Sequence, residues 1–294
     1  MRLSQIRADQ PVLLDNQTCP YCWRDLREVG ATKEHVIARR FVPRGTMAAA
    51  WNLVVQACPG CNARKADLED EISATSMQPS VTGGFPRSDE RLRAEARRKG
   101  VGSRSRVTGT TIAKSSERMQ LNGSLSPGLN LGISFVAPPQ FERERVFALA
   151  EMQVSAFFYW ITFNPETNRG ASLPGGFVGV TFSPRTDWGS AIPRAFMSAI
   201  REWDANLIAS TAEGYFKVEI RRNPTAAPCW SWALEWNENL RIIGFFGAEQ
   251  PANALIRNFP KPQVSRIDLE EGFLQLRKEV PLTPAEDTLF AEPA

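Results

Sequence analysis

The chain of 294 residues holds one histidine and five cysteines, and most of them fall in one stretch near its beginning. Cys19 and Cys22 form one C-x-x-C pair, Cys58 and Cys61 form a second, and His35 lies between the two pairs. Two such pairs can point four thiolates at one ion, which is the tetrahedral ligand set of a structural zinc site. The spacing therefore predicts a four-cysteine zinc centre, with all imidazole chemistry confined to the same region.

Disulfide bonds are the alternative for these cysteines. The first residues of the chain are polar and include no apolar segment of the kind that a secretory signal peptide carries. We therefore expect a cytoplasmic protein with reduced thiols, for which zinc is the better interpretation. Four thiolates leave no open coordination position, so the zinc would be structural. The fifth cysteine, Cys229, has no cysteine or histidine near it in sequence and is expected to be a small packed side chain.

The composition limits the class of protein. The net charge of +3 and the pI near 8.7 are mildly basic. The chain has no run of 18 apolar residues, so no membrane span is expected. A hydrophobic fraction of 43% with eight tryptophans is enough for substantial cores. This length usually corresponds to two domains, and one large domain is the alternative.

The composition also changes along the chain, which predicts four segments. Residues 1–76 carry the motifs, and residues 77–130 form a basic linker rich in Ser and Gly. Residues 131–280 are predicted to be an α+β domain with a mostly antiparallel sheet and an unassigned role in sensing, specificity or partner binding. Residues 281–294 are predicted to be a disordered acidic tail.

The predicted linker is strongly basic. Between Arg91 and Arg118 nine Lys or Arg residues stand against two Glu, a net charge of +7. This balance is typical of a flexible basic arm, and either a solvated linker or nonspecific phosphate contact would explain it. One helix is expected inside it, from Ser88 or Asp89 to Lys99, with Ser88 as the N-cap.

The clearest local prediction in the third segment is a β-hairpin. Alternate residues Trp230, Trp232, Leu234 and Trp236 share one face, and residues 237–239 form the turn. This alternation favours a sheet packed on a core over a surface that stacks nucleic-acid bases. Two helices are also predicted, over 141–163 and 193–207, although the aromatic run 157–161 would also suit a strand.

Further residues between and after the cysteine pairs complete a recognisable pattern. They are an acidic residue next to the histidine, an asparagine before a leucine, and an asparagine and a lysine after the second pair: Glu34, His35, Asn52, Leu53, Asn62 and Lys65. With the cysteines, residues 19–65 resemble the HNH endonuclease family, the ββα-metal or treble-clef nucleases, in its H-N-N variant with a four-cysteine zinc. The family often has a proline where this chain has Ala38, which leaves the geometry of that loop open. The resemblance covers about a fifth of the chain.

The resemblance implies a metal-dependent endonuclease that hydrolyses DNA phosphodiester bonds by nicking or double-strand cutting. His35 has a side chain suited to a general base near neutral pH. Glu34 and Asn62 offer hard oxygen ligands for one catalytic Mg²⁺ or Mn²⁺ with open positions left for phosphate oxygens. Asn52 corresponds to the family's central asparagine, which holds the loop and orients the imidazole through a hydrogen bond. The simpler alternatives are a solvated carboxylate for Glu34, a helix N-cap for Asn62 and a turn residue for Asn52.

Four basic residues near the motif are predicted to bind nucleic acid. Arg64 and Lys65 would lie on the first turn of a helix, where backbone amides also attract phosphate. Arg39 and Arg40 follow the histidine and either touch phosphate or belong to a solvated loop.

Four functions compete at this point. A noncatalytic zinc module that binds nucleic acid needs only the cysteines and basic residues, so the presence of Glu34, His35, Asn52 and Asn62 together favours the nuclease. The nuclease could be an effector that a protein or small-molecule activator switches on through residues 131–280, as in bacterial restriction or anti-phage defence, or a mobile-element or homing enzyme. The motif does not discriminate the sugar, so RNA is an alternative to DNA as substrate.

Overall fold

The computed structural model describes residues 9–80, 83–126, 129–225, 228–261, 265–268, 273–276 and 278–291, with side chains described outside 117–136 and 265–276. Within these residues the helices are α1 (Leu26–Val29), α2 (Pro59–Ser76), α3 (Glu90–Gly102), α4 (Arg143–Ile161), α5 (Ala191–Ile200) and α6 (Glu249–Arg257). The strands are β1 (Val12–Leu13), β2 (Thr32–His35), β3 (Leu53–Ala57), β4 (Glu117–Ser126), β5 (Leu129–Ala137), β6 (Gly176–Pro184), β7 (Asp204–Thr211), β8 (Phe216–Arg222), β9 (Cys229–Trp236), β10 (Leu240–Gly247), β11 (Ser265–Asp268) and β12 (Phe273–Leu276). The chain is a mixed α+β protein in which nearly all strand pairs are antiparallel, as the sequence predicted.

A small three-stranded sheet near the N-terminus carries the motif residues. Its central strand is β3, with β2 antiparallel on one side and β1 parallel on the other. Cys58 separates β3 from α2, and Pro59 occupies the first turn of that helix, where a missing N–H leaves no hydrogen bond unmade. The strand–strand–helix order that the motif needs is therefore present, and the finer assignment as a treble clef stays a prediction.

The largest sheet has the strand order β6-β10-β9-β8-β7, and α4 packs on one of its faces. The hairpin of β9 and β10 is confirmed, with Trp236 opposite Leu240. Asn237 and Glu238 adopt positive φ angles in its turn, a conformation that asparagine tolerates better than most residues. Trp232 and Trp236 are fully buried, which confirms that the aromatic face belongs to a core. The run 157–161 is helical, so the strand alternative for it is wrong.

One hydrophobic core joins the first and third predicted segments. Val55 and Leu68 from the N-terminal segment lie in the same buried cluster as Phe157 on α4. The indole N–H of Trp51 also donates a hydrogen bond of 2.7 Å to the carbonyl of Ser210. Residues of 1–76 and 131–280 therefore pack together, and their folding as separate domains stays a prediction.

The basic segment expected to be a flexible linker contains α3, β4 and the start of β5. Two of its cations contact α2: Lys99 donates to the hydroxyl of Ser73 at 2.5 Å, and Arg106 pairs with Asp67. Lys99 and Arg106 thus hold this part of the segment against α2.

Two predictions near the C-terminal half need correction. The helix predicted over 193–207 ends at Ile200, and the chain turns at Trp203 into β7. The tail predicted to be disordered is packed over residues 281–291: Leu289 is buried, and Asp287 and Glu286 pair with Arg241 and Arg194. Asp287 and Glu286 form ion pairs with arginines of distant elements. The composition of the tail alone does not reveal these partners.

Asp89, rather than Ser88, caps the helix inside the basic segment. Its carboxylate accepts the backbone N–H of Arg91 at 2.8 Å and the hydroxyl of Tyr215 at 2.7 Å. We expect Asp89→Ala to lower the free energy of unfolding by about 1 kcal/mol, because a cap and a tertiary hydrogen bond are lost together. Ser88→Ala is the matched control and should change little. Urea unfolding of both variants would show this, and equal losses would contradict the assignment.

The same cap should depend on pH. Burial raises the pKa of Asp89, but the hydrogen bonds from Tyr215 and Arg91 outweigh it and lower the pKa to about 2. Its stabilising contribution is therefore complete above the ordinary value of 3.8 and is lost as the pH falls through about 2. The difference between wild type and Asp89→Ala should accordingly shrink in unfolding measurements made at acid pH.

Candidate zinc centre and neighbouring site

The four paired cysteines converge on one point. Their Sγ atoms all lie within 4.8 Å of one another, and those of Cys22 and Cys58 are 3.7 Å apart. A tetrahedral zinc with Zn–S bonds of about 2.3 Å has sulfur–sulfur edges of about 3.8 Å, so the residues present fit this ion. Cys19 and Cys22 come from the loop before α1, and Cys58 and Cys61 from the start of α2. The cluster could hold a metal such as zinc, as the sequence predicted.

The surroundings of the cluster favour a thiolate at Cys22 and oppose one at Cys19 and Cys61. The backbone N–H of Cys58 donates to Cys19 Sγ at 3.4 Å, while Arg24 donates to Cys22 Sγ at 3.5 Å and to Cys58 Sγ at 3.9 Å. Burial raises the pKa of Cys22, but the hydrogen bonds from Arg24 outweigh it and lower the pKa to about 6. Burial raises the pKa of Cys19 and Cys61, so these two thiols need the charge of a metal ion to ionise.

Arg24 places a positive charge beside a centre that would carry a net negative charge when four thiolates bind one Zn²⁺. We expect Arg24→Ala to accelerate zinc release to a chelating dye by about tenfold, the scale at which partners of metal ligands act. Arg27→Ala is the matched control, because Arg27 lies on the same short segment but pairs with Asp25. Equal release rates for the two variants would show that Arg24 does not support the site.

His35 and Glu34 lie next to each other on β2 and point to opposite sides. His35 is half-buried, whereas Glu34 is only 6% exposed. The imidazole ring makes no hydrogen bond within the described part of the chain. Burial lowers the pKa of His35, and the charges of Arg39 and Lys33 lower it further. This lowered pKa favours the neutral ring, which is the state that accepts a proton.

Glu34 belongs to a buried charge network that the sequence motif does not reveal. Its carboxylate lies 2.7 Å from the ammonium of Lys65, which also pairs with Glu69 at 2.6 Å and donates to the carbonyl of His35 at 3.2 Å. The hydroxyl of Tyr21 donates to Glu34 at 3.4 Å. Burial lowers the pKa of Lys65, but Glu69 and Glu34 outweigh it and raise the pKa, so this lysine remains charged.

Asn52 clamps the loop that follows β2. Its side-chain amide donates to the carbonyl of Ile37 at 2.7 Å and accepts from the N–H of Ile37 at 3.3 Å. The predicted hold on the loop is therefore visible, but its partner is the backbone of Ile37 and not the imidazole of His35. Because Asn52 is buried, these two hydrogen bonds fix the chain just beyond His35.

Asn62 lies inside the first turns of α2, where it is half-buried and donates to the hydroxyl of Thr32 at 3.0 Å. Cys58 occupies the N-cap position, so the alternative of Asn62 as N-cap is wrong. Asn62 and Glu34 share no hydrogen bond within the described residues. A divalent cation at Glu34 would have to replace the ammonium of Lys65, so these residues do not fit a catalytic cation in the arrangement seen here.

The predicted phosphate contacts divide into two kinds. Arg39, Arg40 and Arg64 are exposed and free of ion pairs within the described residues. Lys65 is only 1% exposed and faces two carboxylates, which corrects its prediction as a phosphate contact in this arrangement. The i,i+4 spacing of Lys65 and Glu69 on a helix is the signal that could have revealed this pairing, whereas nothing in the sequence pointed to Tyr21 or Arg24.

Comparison with known protein families, with curated proteins and with solved structures finds no match to this chain. Among the described residues, no helix is both long and apolar enough to cross a membrane.

Proposed function

We propose that this chain is a metal-dependent endonuclease of the HNH type that hydrolyses phosphodiester bonds of DNA. The observation that carries the proposal is the position of His35, the only histidine of the chain. It lies on an edge strand next to a helix that begins at the second cysteine pair, and its ring is half-exposed and without a hydrogen-bond partner among the described residues.

In this proposal His35 accepts a proton from the attacking water, for which a neutral imidazole is needed. Asn52 keeps the loop after β2 in place through Ile37. Arg39, Arg40 and Arg64 lie exposed and supply positive charge for the phosphates on either side of the bond to be cut. A structural zinc bound by the four paired cysteines would hold the loop before α1 against the start of α2.

Mg²⁺ or Mn²⁺ would neutralise charge on the phosphate and the leaving oxygen when bound. Its expected ligands, Glu34 and Asn62, become available only if Lys65 moves away from Glu34. The proposal therefore includes a change at Lys65 when substrate or an activator binds.

Regulation through residues 131–280, as expected of a restriction or defence effector, is part of this proposal. This part of the proposal is supported by contacts between the five-stranded sheet and the loop that follows His35. The side chain of Asn237, in the β9–β10 turn, donates to the carbonyl of Phe41 at 3.2 Å and to the hydroxyl of Ser76 at 2.8 Å. A shift of this turn would reach both the loop and the end of α2.

A noncatalytic zinc module that binds nucleic acid is the second candidate. The ion pair of Lys65 with Glu34 favours it, because a carboxylate neutralised in this way offers a cation no free charge. In that case the exposed arginines and the zinc centre would suffice for binding.

Incubation of the zinc-loaded protein with supercoiled plasmid and Mg²⁺ or Mn²⁺ separates the two candidates. We expect nicked or linear product that disappears with His35→Ala and with EDTA, and that returns on adding Mg²⁺ but not Zn²⁺. Lys33→Ala, on the same strand and exposed, is the matched control and should still cleave. No cleavage of DNA or RNA by a protein that holds one zinc and binds DNA would select the binding module. A single long cleavage site would favour the homing alternative.

A further inference from the structure

The face of the five-stranded sheet opposite α4, called the outer face below, carries a row of charged side chains. Its members share one side of β8, β9 and β10: Glu219, Arg221, Glu235 and Arg241 are buried, and Lys217 is half-buried. Charges placed under a cover add little stability compared with apolar groups of the same size, because their desolvation offsets their attraction. Such a row is better suited to recognising a partner than to stabilising a core.

Residues 280–291, called the strap below, lie across this face and make contacts of the kind that a bound peptide makes. Asp287 accepts two hydrogen bonds from the guanidinium of Arg241, at 3.0 and 2.5 Å. The backbone N–H of Phe290 donates to Glu219 at 3.1 Å, and the carbonyl of Ala291 accepts from Arg221 at 3.2 Å. A forked carboxylate contact combined with backbone hydrogen bonds fixes the register of a peptide.

Apolar contacts complete the recognition of the strap. Leu289 is only 4% exposed and packs into a buried cluster beside Phe245. The ring of Phe290 lies 5.5 Å from the guanidinium of Arg241 and 5.8 Å from the ammonium of Lys217. The strap thus presents a carboxylate followed, two and three residues later, by two large apolar side chains.

The charged side chains of the outer face have ion-pair partners within the sheet as well as in the strap. Without the strap, Arg241 keeps its ion pair with Glu235, Lys217 keeps the same partner, and Arg221 keeps Glu219. The row would then carry three positive and two negative charges. Its net positive charge complements an acidic segment. A cavity of about 380 Å³ remains between the strap and β7–β8, lined by Ile208, Ser210, Lys217 and strap residues, so the present cover is incomplete.

We infer that the part of the outer face under the strap is a docking groove for a partner segment with an acidic residue followed two and three positions later by large apolar residues. The strap occupies this groove as an internal ligand and must leave before the partner binds. The inference does not depend on nuclease activity, because it concerns binding at a different face of the chain.

The test uses the full chain with Asp287→Asn and Phe290→Ala together, which removes the strap's carboxylate contact with Arg241 and its aromatic ring beside Lys217. A fluorescent peptide copying residues 283–291 should bind this variant about tenfold or more tightly than wild type, since the internal competitor is weakened. The same peptide with its Asp287→Asn change should bind about tenfold more weakly, because the forked contact with Arg241 is lost. Arg241→Lys in the strap variant keeps the charge beside Glu235 but should weaken peptide binding to the same degree.

If the variant does not fold, hydrogen exchange in the wild-type chain tests the same inference. Excess peptide should accelerate hydrogen exchange of the strap amides, including that of Phe290, while leaving β9 and β10 protected. Absence of peptide binding to the folded variant, indifference to the Asp287→Asn change, or unchanged strap exchange would overturn the inference. A dimer of the full chain that excess peptide separates would also overturn it, because the occupant would then be the strap of a second copy.

Discussion

Cys58→Ser is expected to abolish zinc binding and to unfold the region around the two cysteine pairs. Cys58 supplies one of four thiolates and is also the residue at which β3 gives way to α2. A structural zinc contributes binding free energy on the order of 10 kcal/mol to the folded state of small zinc modules, and loss of one thiolate removes much of it. Because this region shares a core with α4, the loss should lower the melting temperature of the whole chain.

Cys229→Ser is the matched control for this experiment. Cys229 is fully buried but lies in a different apolar cluster from the four paired cysteines. We expect it to keep one zinc per chain and to lose only the stability that burying a hydroxyl costs, about 1–3 kcal/mol. The measurements are metal content by mass spectrometry and thermal unfolding of both variants. Retention of a full equivalent of zinc by Cys58→Ser would refute the four-cysteine site.

The parts of the fold that could be predicted from sequence depend on local spacing. Each C-x-x-C pair brings two thiols together. Two such pairs are the usual ligand set of one zinc ion, which predicts that the four sulfur atoms converge. The hairpin of β9 and β10 follows from large apolar residues at alternate positions of β9, followed by an asparagine-containing turn. These features are encoded within a few residues, so tertiary context changes them little.

The features that could not be predicted depend on contacts between distant parts of the chain. Nothing near Glu286 and Asp287 indicates that Arg194 and Arg241 will meet them, so the tail looked disordered. The shared core has the same cause, since an apolar pattern shows that a face is buried but not against what. The early end of the helix at Ile200 reflects tertiary context as well, because the chain enters the sheet as β7 at Asp204.

The candidate site shows the same division at the level of single residues. The residue types of Glu34, His35 and Asn52 were sufficient to place them in one region, but their hydrogen-bond partners were not visible in the sequence. Glu34 forms an ion pair with Lys65 of α2, and Asn52 forms hydrogen bonds with the backbone of Ile37. Motif residues therefore predict where chemistry is concentrated better than they predict which group contacts which.

Lys65→Met is expected to lower the free energy of unfolding by about 3–5 kcal/mol. The substitution keeps the length of the side chain but removes the only cation in contact with Glu34 and Glu69 among the described residues. Both carboxylates are buried, and breaking a buried ion pair by removing one partner leaves an uncompensated charge. Guanidinium unfolding of wild type and variant measures the loss.

Arg64→Met is the matched control, since Arg64 is the neighbouring residue, is exposed and makes no ion pair among the described residues. It should change the stability within about 0.5 kcal/mol, as surface substitutions do. The double variant Lys65→Met with Glu69→Gln should recover part of the loss, because one buried charge is removed together with its partner. Equal stabilities for Lys65→Met and wild type would mean that Lys65 is not buried between the two carboxylates.

Arg64→Met and the double variant Lys65→Met with Glu69→Gln also distinguish a basic residue that contacts DNA from one that is buried in an ion pair. Arg64→Met should weaken DNA binding and reduce its salt dependence, because an exposed guanidinium can contact phosphate. The double variant Lys65→Met with Glu69→Gln should bind DNA nearly as wild type does, because Lys65 is only 1% exposed. If that variant also cleaves DNA faster in Mg²⁺, Lys65 competes with the cation for Glu34 and restrains the nuclease. If it binds DNA normally but never cleaves, the ion pair holds together a module whose activity is binding alone.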